Sequence, residues 1–243
     1  MDASLNLEGG IHFVLLLGPM RSTLALPFSE YGCSVLGSAL RYIPCNGKCR
    51  MLVVAGIHGE ESETTFLLSR VLRSFDKALE SVAFVLCANP DGMTLGTRGN
   101  ANGVDLNRNF PTNNWSKVPV TARSILEAPR DTEFSAGTAP GSEPETVSLV
   151  RLIQKLSPET ILSMHAPIAC VDAPENTPLV QGLCETFDLP WRPDIGYPTP
   201  GSLGTWCKEQ KSPECITLEL PRMSLEALYD RYAQSFREWL KSL

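Results

Sequence analysis

The sequence predicts an α/β domain in which helices cover a β-sheet. Short apolar, β-branched runs alternate with helical patterns along the chain. A length of 243 residues is enough to bury a substantial core. The 43% hydrophobic and 20% charged composition is that of a soluble globular protein.

Taken in order, Ile11–Leu17 ("IHFVLLL") reads as a buried strand near the N-terminus. It lacks the basic flank of a signal peptide, and the following "GPMRS" is a poor cleavage site. Further strands are expected at Ser34–Ile43, Met51–Ala55, Val82–Ala88, Thr160–Met164 and Cys215–Leu220. Asn46-Gly47 reads as a hairpin turn between the first two of these. Glu63–Phe75 is expected to be helical, with Leu67, Val71 and Phe75 on one face beside Leu68 and Leu72. Helices also follow at Glu145–Leu156 and Pro178–Phe187. A final helix is capped by Ser224 and carries Leu225, Leu228, Tyr232, Phe236, Trp239 and Leu243 at helical spacing. Between Gly92 and Gly141 little periodicity remains, and a loop this long inside a compact domain points to function. With no repeat or low-complexity tract, residues 1–243 read as one domain, and 1–30 form an N-terminal segment of unassigned role.

A net charge of −6 excludes the basic footprint of a nucleic-acid surface, and no apolar run reaches membrane-spanning length. The eight cysteines are scattered and mostly apolar in context, as reduced core thiols are. The pair Cys45 and Cys49 lacks a second pair to complete a four-cysteine metal knuckle. These features predict a cytoplasmic protein.

The chemistry concentrates in a few residues. Only three histidines occur, and two of them follow apolar strands. His58 leaves the Met51–Ala55 strand and Glu61 opens the next helix, so both side chains can face the same side of the strand end. His165 ends "TILSMH" in the same setting, where α/β crevices form. Two imidazoles and a carboxylate are a ligand set for catalytic zinc. A polar helix-opening turn and a satisfied core histidine are the plainer alternatives. His12 has no such setting and reads as structural. Glu219 stands among Ile216, Leu218 and Leu220, where burying a carboxylate is costly unless a function requires it. An outward-facing edge position would also permit it. In "TRGNANGVDLNRNF", Arg98, Asn107 and Arg108 offer local positive and amide groups for an anionic ligand, and Asp105 reads as orienting the turn.

The order H-x-x-E, N-P-D-G, R-x-N-x-x-G-V-D-L-N-R-N-F, strand-ending His and strand Glu resembles the zinc carboxypeptidase family, over Tyr31 to Arg222. The resemblance implies a mixed, twisted sheet of about eight strands with helices on both faces. It also implies one zinc ion on His58, Glu61 and His165, and Glu219 as general base. Arg98 would polarise the scissile carbonyl, Asn107 and Arg108 would hold the substrate's terminal carboxylate, and Tyr197 would be the mobile tyrosine over the bound residue. Within the family, "GSEPET", "NANGVDLNRNFP" and "GYPTPGSLGTWC" resemble bacterial amidases of peptidoglycan recycling. These cut the γ-D-glutamyl–meso-diaminopimelate bond of murein tripeptide. The position that reads the terminal side chain falls at Gly204, which leaves room, and Arg222 is a candidate for the distal carboxylate. The partner implied is a small peptide, with no nucleic acid and no membrane. A zinc deacylase of the aspartoacylase and succinylglutamate desuccinylase type, and an inactive peptide-binding protein, remain as alternatives.

Overall fold

The computed structural model describes residues 23–123 and 131–243. The expected strand at Ile11–Leu17, with His12, lies outside the described residues. The first half of the chain contains β1 (Ser29–Cys33), β2 (Ala39–Tyr42), β3 (Met51–Val54), α1 (Ser62–Leu72), β4 (Val82–Val85), the short α2 (Pro90–Leu95), β5 (Val120–Arg123) and β6 (Asp131–Phe134). The second half contains α3 (Pro144–Leu156), β7 (Thr160–His165), β8 (Ile168–Asp172), α4 (Pro178–Phe187), β9 (Trp191–Arg192), α5 (Leu203–Gln210), β10 (Glu214–Pro221) and α6 (Leu225–Ser242).

The central sheet has six strands in the order β4-β3-β7-β10-β8-β9. Neighbours are parallel except β10 and β8, so the sheet is mixed. Ile43 makes an antiparallel bridge to Phe84 and sets the β1-β2 ribbon against the β4 edge. This adds two strands to the six and agrees with the expected size.

Strand residues alternate between two cores, as the two-residue period requires. Met51 and Val53 of β3 pack with α1, α4 and α6, whereas Leu52 and Val54 pack with α3 and α5. In α6 the Ser224 hydroxyl accepts from Ala227 N at 3.2 Å, and Leu228, Tyr232, Phe236 and Trp239 form the buried stripe. Helices therefore cover both faces.

Two expectations need correction. Ser34–Ile43 is not one strand, because a turn at Ser34–Ser38 divides β1 from β2. Asp91 holds that turn: its carboxylate accepts from Ser34 Oγ at 2.7 Å, Leu36 N at 2.8 Å and Ser38 Oγ at 3.1 Å. Asn46-Gly47 is not a hairpin, because β2 pairs with β1 and β3 lies between β4 and β7. The Asn46 and Gly47 amides donate instead to Leu79 O and Glu80 O, at 2.9 and 2.8 Å, tying this crossing to the approach to β4.

The stretch from Gly92 to Gly141, expected as a loop, also carries the end of α2 and the antiparallel pair β5-β6, and its described irregular parts are held mainly by side-chain amides. Asn100 Nδ2 donates to Glu143 Oε2 at 2.8 Å and Glu145 Oε2 at 3.0 Å, while its Oδ1 accepts from Val104 N at 3.2 Å. Asn109 Nδ2 donates to Ala136 O at 2.9 Å, and its Oδ1 accepts from Glu143 N at 3.1 Å. These asparagines take the place of ladder bonds and fix the segment between them.

Candidate active site

Parallel β3, β7 and β10 end at the same edge of the sheet, and the site is built there. His58 lies just beyond β3, His165 is the last residue of β7, and Glu219 is its register partner on β10. Glu61 is the N-cap residue of α1, yet its side chain makes no capping bond. It turns to the imidazoles instead, with Oε1 2.7 Å from His58 Nδ1 and Oε2 3.0 Å from His165 Nδ1. Ala166 N donates to the same Oε2 at 3.3 Å.

The two Nδ1 atoms stand 3.2 Å apart. Both imidazoles thus aim the same nitrogen at one point, and their other nitrogens face outward. His165 Nε2 meets Ser163 Oγ at 3.0 Å. His58 Nε2 lies 3.3 Å from Asp105 Oδ1 without forming a hydrogen bond, and it is a buried polar atom lacking a partner. A proton on each Nε2 leaves both Nδ1 lone pairs pointing inward, as metal-ligating histidines require. Ligands about 2.0–2.1 Å from one tetrahedral ion stand about 3.3 Å from each other, close to the separations found here. These residues fit a zinc ion, and all three are buried.

Charges of both signs stabilise one another around this point. Arg98 Nε donates to Asp105 Oδ2 at 2.8 Å, and its Nη1 lies 3.5 Å from Glu61 Oε1. Burial opposes each of these charges. When they carry a second proton, the imidazoles nevertheless hold the Glu61 carboxyl well below its ordinary range, and Arg98 with protonated His58 does the same for Asp105. The Arg98 guanidinium is pushed up by Asp105 and Glu61 in spite of its burial. Glu219 behaves differently. Burial raises its carboxyl, His165 draws it down and Glu61 raises it again, with a net rise. It is 6% exposed and lies inside the sheet, not at an edge.

A cleft of about 640 Å³ opens over these groups, and Arg98, Asn107, Arg108, Tyr197 and Gly204 line it with them. Asn107 Oδ1 accepts from Leu203 N at 2.9 Å, which anchors the side chain to the start of α5. Arg108 Nη1 donates to the Asn107 carbonyl at 2.7 Å. Arg108 is 6% exposed and makes no ion pair among the described residues. Half-exposed Tyr197 stands at the mouth. A Cβ built on Gly204 meets nothing closer than Ser202 Oγ at 3.9 Å, so the wall is open there. Arg222 lies outside the lining, one residue past the end of β10.

Sequence reasoning assigned Asp105 too small a part and missed Ser163. Asp105 both opens the Leu106–Arg108 turn, accepting from Asn107 N at 2.9 Å, and balances Arg98 and His58. The position of Ser163, two before His165 on the same strand face, was the available signal.

A family model described as zinc carboxypeptidase matches residues 43–168. Murein peptide amidase A of Escherichia coli (strain K12) is 42% identical over 206 residues, covering 84% of this chain and 85% of the relative. The chain belongs to the zinc carboxypeptidase family. Murein peptide amidase A of Vibrio campbellii is 40% identical over 219 residues, covering 89% of this chain and 88% of its own. The crystal structure of murein-tripeptide amidase from Escherichia coli O157 superposes with a TM-score of 0.86 at 39% identity, over 91% of this chain and 94% of that one. The mixed sheet with helices on both faces is thus the fold of this hydrolase family.

Two glycines of one segment separate structural need from open space. Gly201 has φ +71°, and a Cβ there would lie 2.2 Å from Arg108 O, whereas Gly204 is unconfined. Gly201→Ala should therefore cost about 2 kcal/mol or more. Gly204→Ala, inside a helix, should be neutral or stabilising by up to about 1 kcal/mol. Equal midpoints for the two variants in urea unfolding would contradict this reading.

Proposed function

We propose that the chain is a zinc-dependent amidase that hydrolyses the γ-D-glutamyl–meso-diaminopimelate bond of murein tripeptide in cell-wall peptide recycling. The observation that carries the reaction class is the buried, unpaired Arg108 guanidinium facing the same cleft as the converging His58, Glu61 and His165. A desolvated cation without a counter-ion calls for an anionic ligand, here a carboxylate beside the cleaved amide. The relatives named as murein peptide amidases support this substrate over the N-acyl amino acids of a deacylase. We further infer that residues 1–243 act as one catalytic unit in the cytoplasm. The eight free thiols and the absence, among the described residues, of a helix long and apolar enough to cross a membrane support this.

Zinc held by His58, Glu61 and His165 would supply Lewis acidity toward the amide carbonyl and lower the pKa of water. Glu219 accepts the proton of the attacking water and returns it to the leaving amine. Its Oε2 is engaged by Ile168 N at 3.4 Å, which leaves Oε1 for this transfer. Arg98 presents a fixed positive charge to the developing oxyanion, its orientation held by Asp105. Asn107 and Arg108 bind the terminal carboxylate. The Asn107 NH2 has no hydrogen-bond partner among the described residues and is free to donate. Tyr197 shields the bound residue from water.

The direct test is a panel of defined peptides. L-Ala-γ-D-Glu-meso-diaminopimelate should be cleaved far faster than the same peptide extended by D-Ala, and faster than any peptide ending in Phe or Leu. Preference for the Phe or Leu peptides would return the protein to a general carboxypeptidase role.

Wild type and Glu219→Gln should each retain about one zinc per chain, and His58→Ala and His165→Ala should lose it. Glu219→Gln should also lose roughly 10²–10⁴-fold in kcat. Full zinc occupancy in both histidine variants, measured by elemental analysis, would refute this ligand set.

Arg108→Ala should raise KM for the tripeptide. Capping the terminal carboxylate as an amide should cost the wild type heavily and this variant little. Equal losses in the two proteins would assign Arg108 another role.

A further inference from the structure

Behind the catalytic row lies a second polar row that the reaction does not use. His165, Glu219 and Cys170 are register partners across β7, β10 and β8. Two residues back on each parallel strand, and directly opposite on β8, stand Ser163, Thr217 and Asp172. The period of two puts this row on the same face of the sheet, and all three residues line the cleft. Ser163 is engaged with His165, and Thr217 is neutral. Asp172 is the only charged member of the row.

Asp172 makes no hydrogen bond or ion pair among the described residues. Arg192, its register partner on β9, lies outside the cleft lining. Burial raises the Asp172 carboxyl and Asp194 raises it further, with only His165 acting the other way. Lys208 and Lys211 also line the cleft, but neither pairs with Asp172, and a half-buried carboxylate without an ion-pair partner is incompletely compensated.

We propose that Asp172 selects the far end of the leaving residue by pairing with an ammonium group on its side chain. This rests on the amidase function proposed above and adds to it the residue that reads the distal centre of diaminopimelate. The reach agrees. Two residues along a strand advance about 6.6–6.8 Å, and five bonds from the α-carbon to a distal nitrogen span about 6 Å. An ammonium there gains a charge-assisted contact in a partly desolvated place, and a side chain without one leaves Asp172 unpaired.

Three tripeptides test the assignment, ending in meso-diaminopimelate, in 2-aminopimelate (distal carboxylate but no distal amine) and in lysine (distal amine but no distal carboxylate). Wild type should lose roughly 30- to 100-fold in kcat/KM from diaminopimelate to 2-aminopimelate. Asp172→Asn should lose a like factor on the diaminopimelate and lysine peptides. On the 2-aminopimelate peptide it should keep the wild-type value within about threefold, which also shows that the variant is folded with an intact site. An Asp172→Asn enzyme that still favours diaminopimelate over 2-aminopimelate by the wild-type ratio overturns the proposal. A uniform loss on all three peptides overturns it as well, since that marks a structural role. Failure of the wild type to cleave any of the three is a separate result, which removes the amidase function itself.

Discussion

Two carboxylates, two imidazoles and a guanidinium are brought out of water at one end of the sheet, and the surrounding structure serves to keep them together. Each of Glu61, Asp105, His58, His165 and Arg98 would be costly to bury alone. They are tolerated because Glu61 lies between the imidazoles and Asp105 lies between Arg98 and His58. Removing any one of them leaves its neighbours less fully compensated in a desolvated place. The set therefore acts as a unit, and the point where the Nδ1 atoms converge fits a cation.

Holding that unit requires backbone to approach backbone closely. A Cβ on Gly59 would lie 2.1 Å from the Gly92 carbonyl carbon, so the turn carrying His58 and Glu61 packs directly onto the start of α2. Gly59 N also donates to Arg98 O at 3.3 Å. The turn carrying His58 and Glu61 and the segment bearing Arg98 are thus joined through main chain, and Gly201 makes the corresponding junction with Arg108. The asparagine-rich loop links the two sides. Its amides bond to Glu143 and Glu145 at the entry to α3, and Asp105, Asn107 and Arg108 follow within a few residues. Apart from the Val104–Ser135 bridge, this loop is fixed by side-chain bonds and turns and not by strand pairing.

Most of the fold was legible in the sequence where one period dominated. The apolar runs of β3, β4, β7 and β10 and the stripe of α6 lie where the pattern put them, because each buries a continuous face whose spacing is local. The errors came where a distant partner overrode local preference. Asp91, more than fifty residues away, breaks Ser34–Ile43 into a turn between strands. The amides of Asn46 and Gly47 are taken by the chain before β4, so a dipeptide that favours hairpins serves a crossing. Among the residues lining the cleft, His58, His165 and Glu219 stood out because each interrupts an apolar context near a strand end, and Glu61 through its spacing of three from His58. Ser163 and Asp172 were not, because a polar residue at alternate strand positions also describes a solvated face.

By itself the sequence determined the class of the domain, the strand ends that carry chemistry and the residue types collected there, since apolar periodicity and the cost of burying charge act within short segments. Tertiary structure alone decided which charges neutralise one another, that Arg108 is left without an ion pair among the described residues, that Arg222 lies outside the cleft lining and that Asp172 lies within it. Those outcomes depend on strand register and on contacts between segments far apart in the chain. A shift of one residue in register reverses every side chain on a strand, and where both faces are buried, as in this sheet, the partner strands and not local alternation fix which face a residue takes.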